Sequence, residues 1–210
     1  MKKYTMFFLL VFFIAAQFVN AADKSADEIL KQVKEIYKKN DNICADFTQK
    51  FIWKLTEEEH LMSGSICVQK GVKFRIETPD NVIVNDGEAL WTLNYVNNQV
   101  IVNHGSQDSK DAPFLKQFIE KFISDYSANL ESEEKEFYLL KLTAKSEDEF
   151  IREVQLQVDK KTFFLLNIIQ HDANENTTDY KVENIRTDVS LTANDFKIKD
   201  IEKYEVVDLR

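Results

Sequence analysis

Apolar and polar residues alternate along Gly64–Val102, GSICVQKGVKFRIETPDNVIVNDGEALWTLNYVNNQVIV, and turn signals break the alternation at short intervals. A period of two between turns predicts consecutive antiparallel strands. A tight turn centred on Asp86-Gly87 pairs Val84 with Ala89 and Val82 with Trp91. One at Asn97-Asn98 pairs Tyr95 with Val100 and Leu93 with Val102. Carried backward through Pro79-Asp80 and Gly71, the pairing sets Ile76 against Val82, Phe74 against Val84, and Val68 against Phe74. One face then collects Ile66, Val68, Phe74, Ile76, Val82, Val84, Trp91, Leu93, Tyr95, Val100 and Val102. The other carries Gln69, Lys73, Arg75, Glu77, Asn81, Asn94 and Asn103.

The flanking patterns extend this picture. Ser25-Ala26-Asp27-Glu28 has the form of a capping box, and Ile29, Leu30, Val33, Ile36 and Tyr37 follow on one helical face until Asn40-Asp41-Asn42. Ile43 to Leu55 alternates as a strand, with Phe47, Gln49, Phe51, Trp53 and Leu55 on one side, and Thr56–Glu59 forms a solvated hairpin tip. After a polar stretch, Asp111-Ala112-Pro113 opens a second helix bearing Phe114, Leu115, Phe118, Ile119, Phe122 and Ile123 as a wide apolar stripe. Strands follow at Ser127–Leu130, Glu136–Lys145, Phe150–Val158, Thr162–His171 and Thr178–Thr187, with Phe163–Leu166 apolar on both faces. A helical turn at Thr192–Phe196 precedes a terminal strand near Phe196–Ile198. The sum is a mainly β, α+β chain: about eleven antiparallel strands with two helices inserted, hence a strongly curved sheet or partial barrel.

Lys2 and Lys3 precede an apolar run from Met6 to Val19, and Val19-Asn20-Ala21 offers small residues for cleavage, so residues 1–21 read as a secretory signal peptide. The run is shorter than the roughly 20 residues a membrane helix needs. The first cysteine is Cys44, so no acylatable cysteine lies near the cleavage point, and residues 22–210 are expected as one soluble, exported, monomeric domain. Loss of Lys2 and Lys3 takes the formal charge from −9 to −11, which disfavours nucleic acid and anionic membrane surfaces as partners. Export permits a disulfide between Cys44 and Cys67. A turn centred on Glu57-Glu58, however, sets Phe47 opposite Val68 and Cys67 opposite Thr48, too far from Cys44 to bridge, so free thiols are expected unless a bulge moves the register.

Catalytic or metal chemistry finds no support in the residues. His60, His104 and His171 lack ligand spacing, and there is no nucleophile elbow, no glycine-rich phosphate loop and no implied cofactor. A hydrolase acting on envelope lipid is therefore the weakest reading. The apolar face has two readings: a filled core, or a surface left for a flexible ligand. Few polar residues point inward, Gln49 and Lys70 excepted, so such a ligand is itself apolar.

Ala45-Asp46-Phe47-Thr48-Gln49, Gly64 through Lys70, and Val84-Asn85-Asp86-Gly87 leading to Leu90-Trp91 resemble, in their order and spacing, the outer-membrane lipoprotein carrier family LolA. The resemblance spans nearly the whole mature chain. It implies an unclosed β-barrel whose concave apolar face is covered by a helical lid, acting in the periplasm without a cofactor. It further implies a chaperone that receives acylated lipoproteins from an inner-membrane lipoprotein-releasing ABC transporter and passes them to an outer-membrane lipoprotein receptor. On this resemblance the acyl-chain surface comprises Phe47, Phe51, Trp53, Ile66, Val68, Phe74, Ile76, Val82, Val84, Trp91, Leu93 and Tyr95. The lid comprises Phe114, Leu115, Phe118, Ile119 and Phe122 and moves aside on loading. Lys70-Gly71 stands where the family has arginine and proline, and Lys70 is either a lid latch without arginine's planar fork or an inward lysine snorkelling to the rim. Cys67 replaces the family's tryptophan. The alternative is a module of the same fold that senses lipid or mislocalised lipoprotein and signals to a membrane partner.

Overall fold

The computed structural model describes residues 24–69, 73–105, 121, 124–187 and 189–210. The expected signal peptide, Lys70, and the lid residues Phe114, Leu115, Phe118, Ile119 and Phe122 lie outside them. Helix α1 (Ala26–Lys39) begins at the expected capping box: the Glu28 amide donates to Ser25 Oγ at 3.2 Å, and the Ser25 amide donates to the Glu28 carboxylate at 3.0 Å. The chain then supplies β1 (Asn42–Ile52), β2 (Glu59–Gln69), β3 (Phe74–Glu77), β4 (Asn81–Asn85), β5 (Ala89–Asn94) and β6 (Gln99–His104). Beyond these lie β7 (Tyr126–Glu133), β8 (Phe137–Ala144), β9 (Ile151–Asp159), β10 (Leu165–Asp172), β11 (Thr177–Arg186) and β12 (Glu205–Asp208).

All twelve form one sheet in the order β12-β6-β5-β4-β3-β2-β1-β11-β10-β9-β8-β7. Every pairing is antiparallel except β12, which runs parallel to β6. The end strands β12 and β7 do not pair, so the half-barrel is unclosed. The terminal strand falls later than the pattern indicates: Ala193–Phe196 and Ile201–Lys203 are 3-10 turns, and only Glu205–Asp208 rejoins the sheet. Phe163 also falls outside a strand. It sits in a turn at φ +59° and stacks on Tyr138, while Phe164 meets Tyr37 edge-on.

Most turns differ from expectation by an even number of residues, which preserves the faces. At the β4–β5 turn, the Asp86 amide donates to the Ala89 carbonyl, giving Val84 opposite Trp91 and Val82 opposite Leu93. Between β5 and β6, Leu93 faces Val100 and Trp91 faces Val102. In the β1–β2 hairpin, reciprocal hydrogen bonding around Trp53, Glu57 and Glu58 closes the turn earlier, with Glu57 at φ +56°. Phe47 therefore opposes Gly64, and Cys44 opposes Cys67. This overturns the expectation of free thiols: Cys44 and Cys67 form a disulfide with Cα atoms 4.1 Å apart.

One turn differs by an odd number. Thr78 and Asn81 close a two-residue turn on Pro79-Asp80, so Ile76 opposes Ile83 and Phe74 opposes Asn85, while Val68–Phe74 pairs as expected. Residues directly opposite one another share a face, and a one-residue difference exchanges the faces of everything beyond it.

Two clusters follow. On the inner face, α1 buries Ala26, Ile29, Leu30 and Val33 against Leu140, Leu142, Leu156 and Ile168 of β8–β10. On the outer face, Val82, Val84, Ala89, Leu93, Val100 and Val102 are buried beneath Phe196, itself 1 % exposed, with Leu191, Ile198, Ile201 and Tyr204 around it. Arg75 on this outer face donates to the Lys197 carbonyl at 3.0 Å and helps to hold the C-terminal segment down.

Candidate functional site: the inner face of the first six strands

Opposite residues trace the inner face across β1–β6. One row runs Ala45, Ile66, Ile76, Ile83, Thr92, Ile101, and the next runs Ile43, Val68, Phe74, Asn85, Leu90, Asn103. Phe47 and Phe51 continue the face along β1, opposite Gly64 and His60. Gly64 is required there, because a Cβ would lie 2.4 Å from the Glu77 carbonyl oxygen and 2.9 Å from the Phe47 ring. Ile43, Ala45, Phe74 and Asn85 are buried. Phe47, Phe51, Ile66, Ile76, Ile83, Leu90 and Ile101 are only half-buried and join neither core cluster.

This geometry divides the expected acyl-chain surface. Phe47, Phe51, Ile66, Val68, Phe74 and Ile76 share the inner face. Val82, Val84, Trp91 and Leu93 belong to the outer face, where burial by the C-terminal segment removes them from any inner ligand. The Pro79-Asp80 turn is the cause, and Ile83, Leu90 and Ile101, absent from the sequence assignment, take the inner positions. Trp53 lies beyond β1, 46 % exposed and edge-on to Phe51 at 4.8 Å. Tyr95 lies in the β5–β6 turn beside Tyr204 of the C-terminal segment, at a ring distance of 6.4 Å. The inner face is also less uniformly apolar than its pattern indicates, since Asn85, Thr92 and Asn103 stand on it.

Charge collects at the end of the β4–β5 hairpin. The Asp86 carboxylate accepts from the Glu88 and Ala89 amides and from Trp91 Nε1, each at 2.8 Å. Burial opposes its charge, but the two amides, the indole N–H and nearby Lys73 together hold it below the usual carboxylate range. The Arg210 guanidinium lies 5.7 Å above the Trp91 ring. His60 and His104 are exposed, and His171 Nδ1 lies 3.0 Å from Thr177 Oγ1. Among the described residues no three His, Cys, Asp or Glu converge on a common point. A shallow outer pocket of about 430 Å³ includes Gln157, Asn167, Asp179 and Lys181, and within it the Asn167 amide donates to the Asp179 carboxylate at 2.6 Å.

An open half-barrel, antiparallel apart from β12, with a half-buried apolar row on the inner face of one half and a helix across the other, defines the unclosed half-barrel class of fold. Residues 38–199 match the family described as outer membrane lipoprotein carrier protein LolA, and the chain belongs to that family. No curated protein matches it in sequence. Among solved structures, an uncharacterized conserved protein from Thermus thermophilus aligns at TM-score 0.57 and 18 % identity, covering 87 % of this chain and 98 % of that one. A LolA superfamily protein from Nitrosomonas europaea aligns at TM-score 0.44 and 16 % identity, covering 83 % and 98 %. A putative outer membrane lipoprotein-sorting protein domain from Vibrio parahaemolyticus aligns at 0.42 and 13 %, covering 83 % and 97 %. The first likeness shows the fold. Among the described residues no helix is long and apolar enough to cross a membrane.

Proposed function

We propose that this protein is a periplasmic chaperone that shelters the acyl chains of lipoproteins and carries them from the inner to the outer membrane. The observation that carries the reading is the half-buried apolar row on the inner face of β1–β6, which neither α1 nor the C-terminal segment fills. Family membership supports the same cargo. Each buried methylene is worth roughly 0.8 kcal/mol, so one long acyl chain contributes on the order of 10 kcal/mol. Extraction from a bilayer on that scale needs external work; in this reading, which follows the family resemblance, an inner-membrane lipoprotein-releasing ABC transporter does the loading and an outer-membrane lipoprotein receptor takes delivery. Phe47, Phe51, Ile66, Ile76, Ile83, Leu90 and Ile101 form the acyl-chain wall in this reading.

Native mass spectrometry of the protein purified from its own envelope tests the assignment. Recovery of bound triacylated lipoprotein is the expected result. Consistent recovery of free lipid alone contradicts the carrier role and favours a sensing module of the same fold.

A further inference from the structure

Asn85 is the last residue of β4 and stands on the inner face between Phe74 of β3 and Leu90 of β5. It is 1 % exposed. Its side chain is held in one orientation, because Oδ1 accepts the Gly87 amide at 2.8 Å across the turn into β5. With the oxygen committed, Nδ2 is left over, and among the described residues it is the buried side-chain nitrogen or oxygen that lacks a hydrogen-bond partner. A buried amide donor without an acceptor costs about 1–3 kcal/mol, and native structures rarely retain one without a use. The other inner asparagines of this region are not in the same condition: Asn94 donates to Asn81 at 3.0 Å, and Asn103 is half-buried.

The position of the donor defines its acceptor. Asn85 ends its strand, whereas Ile83, Ile76 and Ile66 run away from it along the apolar trough. A ligand whose hydrocarbon fills that trough presents its first polar atoms at the end of the chain. In an acylated glycerol those atoms are ester carbonyl oxygens, which are acceptors without a donor of their own. We propose that Asn85 Nδ2 donates a hydrogen bond to an acyl ester carbonyl and so fixes how deep the chains enter. This deepens the acyl-chain reading above and rests on it. Asn85 is a binding residue that distinguishes ester-linked chains from hydrocarbon alone.

The test compares a C16 diester diacylglycerol with the diether dialkylglycerol of equal chain length. Both compete for the full-length mature protein against an apolar dye in non-ionic micelles. The wild-type protein is expected to bind the ester about tenfold more tightly than the ether, the value of one hydrogen bond to an otherwise unpaired buried donor. Asn85→Leu removes the donor at similar volume, and Asn85→Ser retains an acceptor for the Gly87 amide together with a hydroxyl that can still donate. Asn85→Leu is expected to abolish the ester preference and Asn85→Ser to retain part of it. Equal binding of ester and ether by the wild-type protein overturns the proposal while sparing the acyl-chain reading, and needs no variant to fold. An ester preference that survives Asn85→Leu undiminished overturns it too. Binding of neither lipid overturns the acyl-chain reading itself.

Discussion

Across the Pro79-Asp80 turn, the Thr78 hydroxyl donates to the Asn81 carbonyl at 3.2 Å and accepts the Asn81 amide at 3.1 Å, while the Thr78 amide donates to the same carbonyl at 2.9 Å. These bonds set Thr78 opposite Asn81 and send Ile83 inward and Val82 outward. Neither residue type prefers one side, because Asn81–Asn85 carries Val82, Ile83 and Val84 at three consecutive positions, so either face of the strand is apolar. Asp86, at the far end of that strand, makes a prediction at the same scale. Its folded pKa is depressed, so the stability it contributes is fully present above the unfolded value of about 3.9 and is lost as pH falls through the lower folded value. The Trp91 indole reports this directly through its 2.8 Å bond to Asp86. In a Trp53→Phe background, Trp91 emission is expected to stay constant above about pH 4 and to shift below it. Asp86→Asn removes the shift, and a shift that persists in that variant contradicts the assignment.

Among elements, helix α1 was legible in full: the capping box, the apolar stripe and the stop at Asn40 depend on neighbours within one or two turns of chain. The existence of β1–β11 was legible for the same reason, whereas the terminal strand, expected near Phe196–Ile198, lies at Glu205–Asp208. Hairpin register was not, because it depends on which residue of a polar tip adopts a positive φ, and Thr56–Glu59 offers several equivalent choices. Glu57 adopts it, and the resulting four-residue displacement brings Cys44 and Cys67 together without changing which face Phe47 and Phe51 occupy. The bridge pins the two central strands at their base, away from the tip where Leu55 is 94 % exposed. With 23 residues separating the cysteines, the closed loop stabilises the fold by about 3 kcal/mol. The Cys44→Ala/Cys67→Ala protein is expected to lose about that amount in urea denaturation with its β content intact. An unchanged midpoint contradicts a stabilising role for the bridge.

At the scale of the whole molecule, the sheet is covered asymmetrically. Helix α1 fills the inner face at β7–β10, and the C-terminal segment fills the outer face at β4–β6. The remaining inner surface of β1–β6 is the candidate trough, and the turn chemistry explains why the sequence pattern places only part of that face together. Phe47, Phe51, Ile66 and Ile76 lie on the near side of the Thr78 turn and fall on the expected face, whereas every residue beyond that turn exchanges sides. The outer valines look like ligand wall in the sequence because burial beneath Phe196 and exposure to a lipid require the same apolar chemistry. A photoreactive diacylated lipopeptide carrying a diazirine at the end of one chain separates the two faces directly. Labelling is expected at Phe47, Ile66, Ile76, Ile83, Leu90 and Ile101, and unlabelled lipopeptide should displace it. Labelling concentrated on Val82, Val84, Val100 and Val102, or labelling that unlabelled lipopeptide does not displace, would contradict an acyl-chain trough on the inner face.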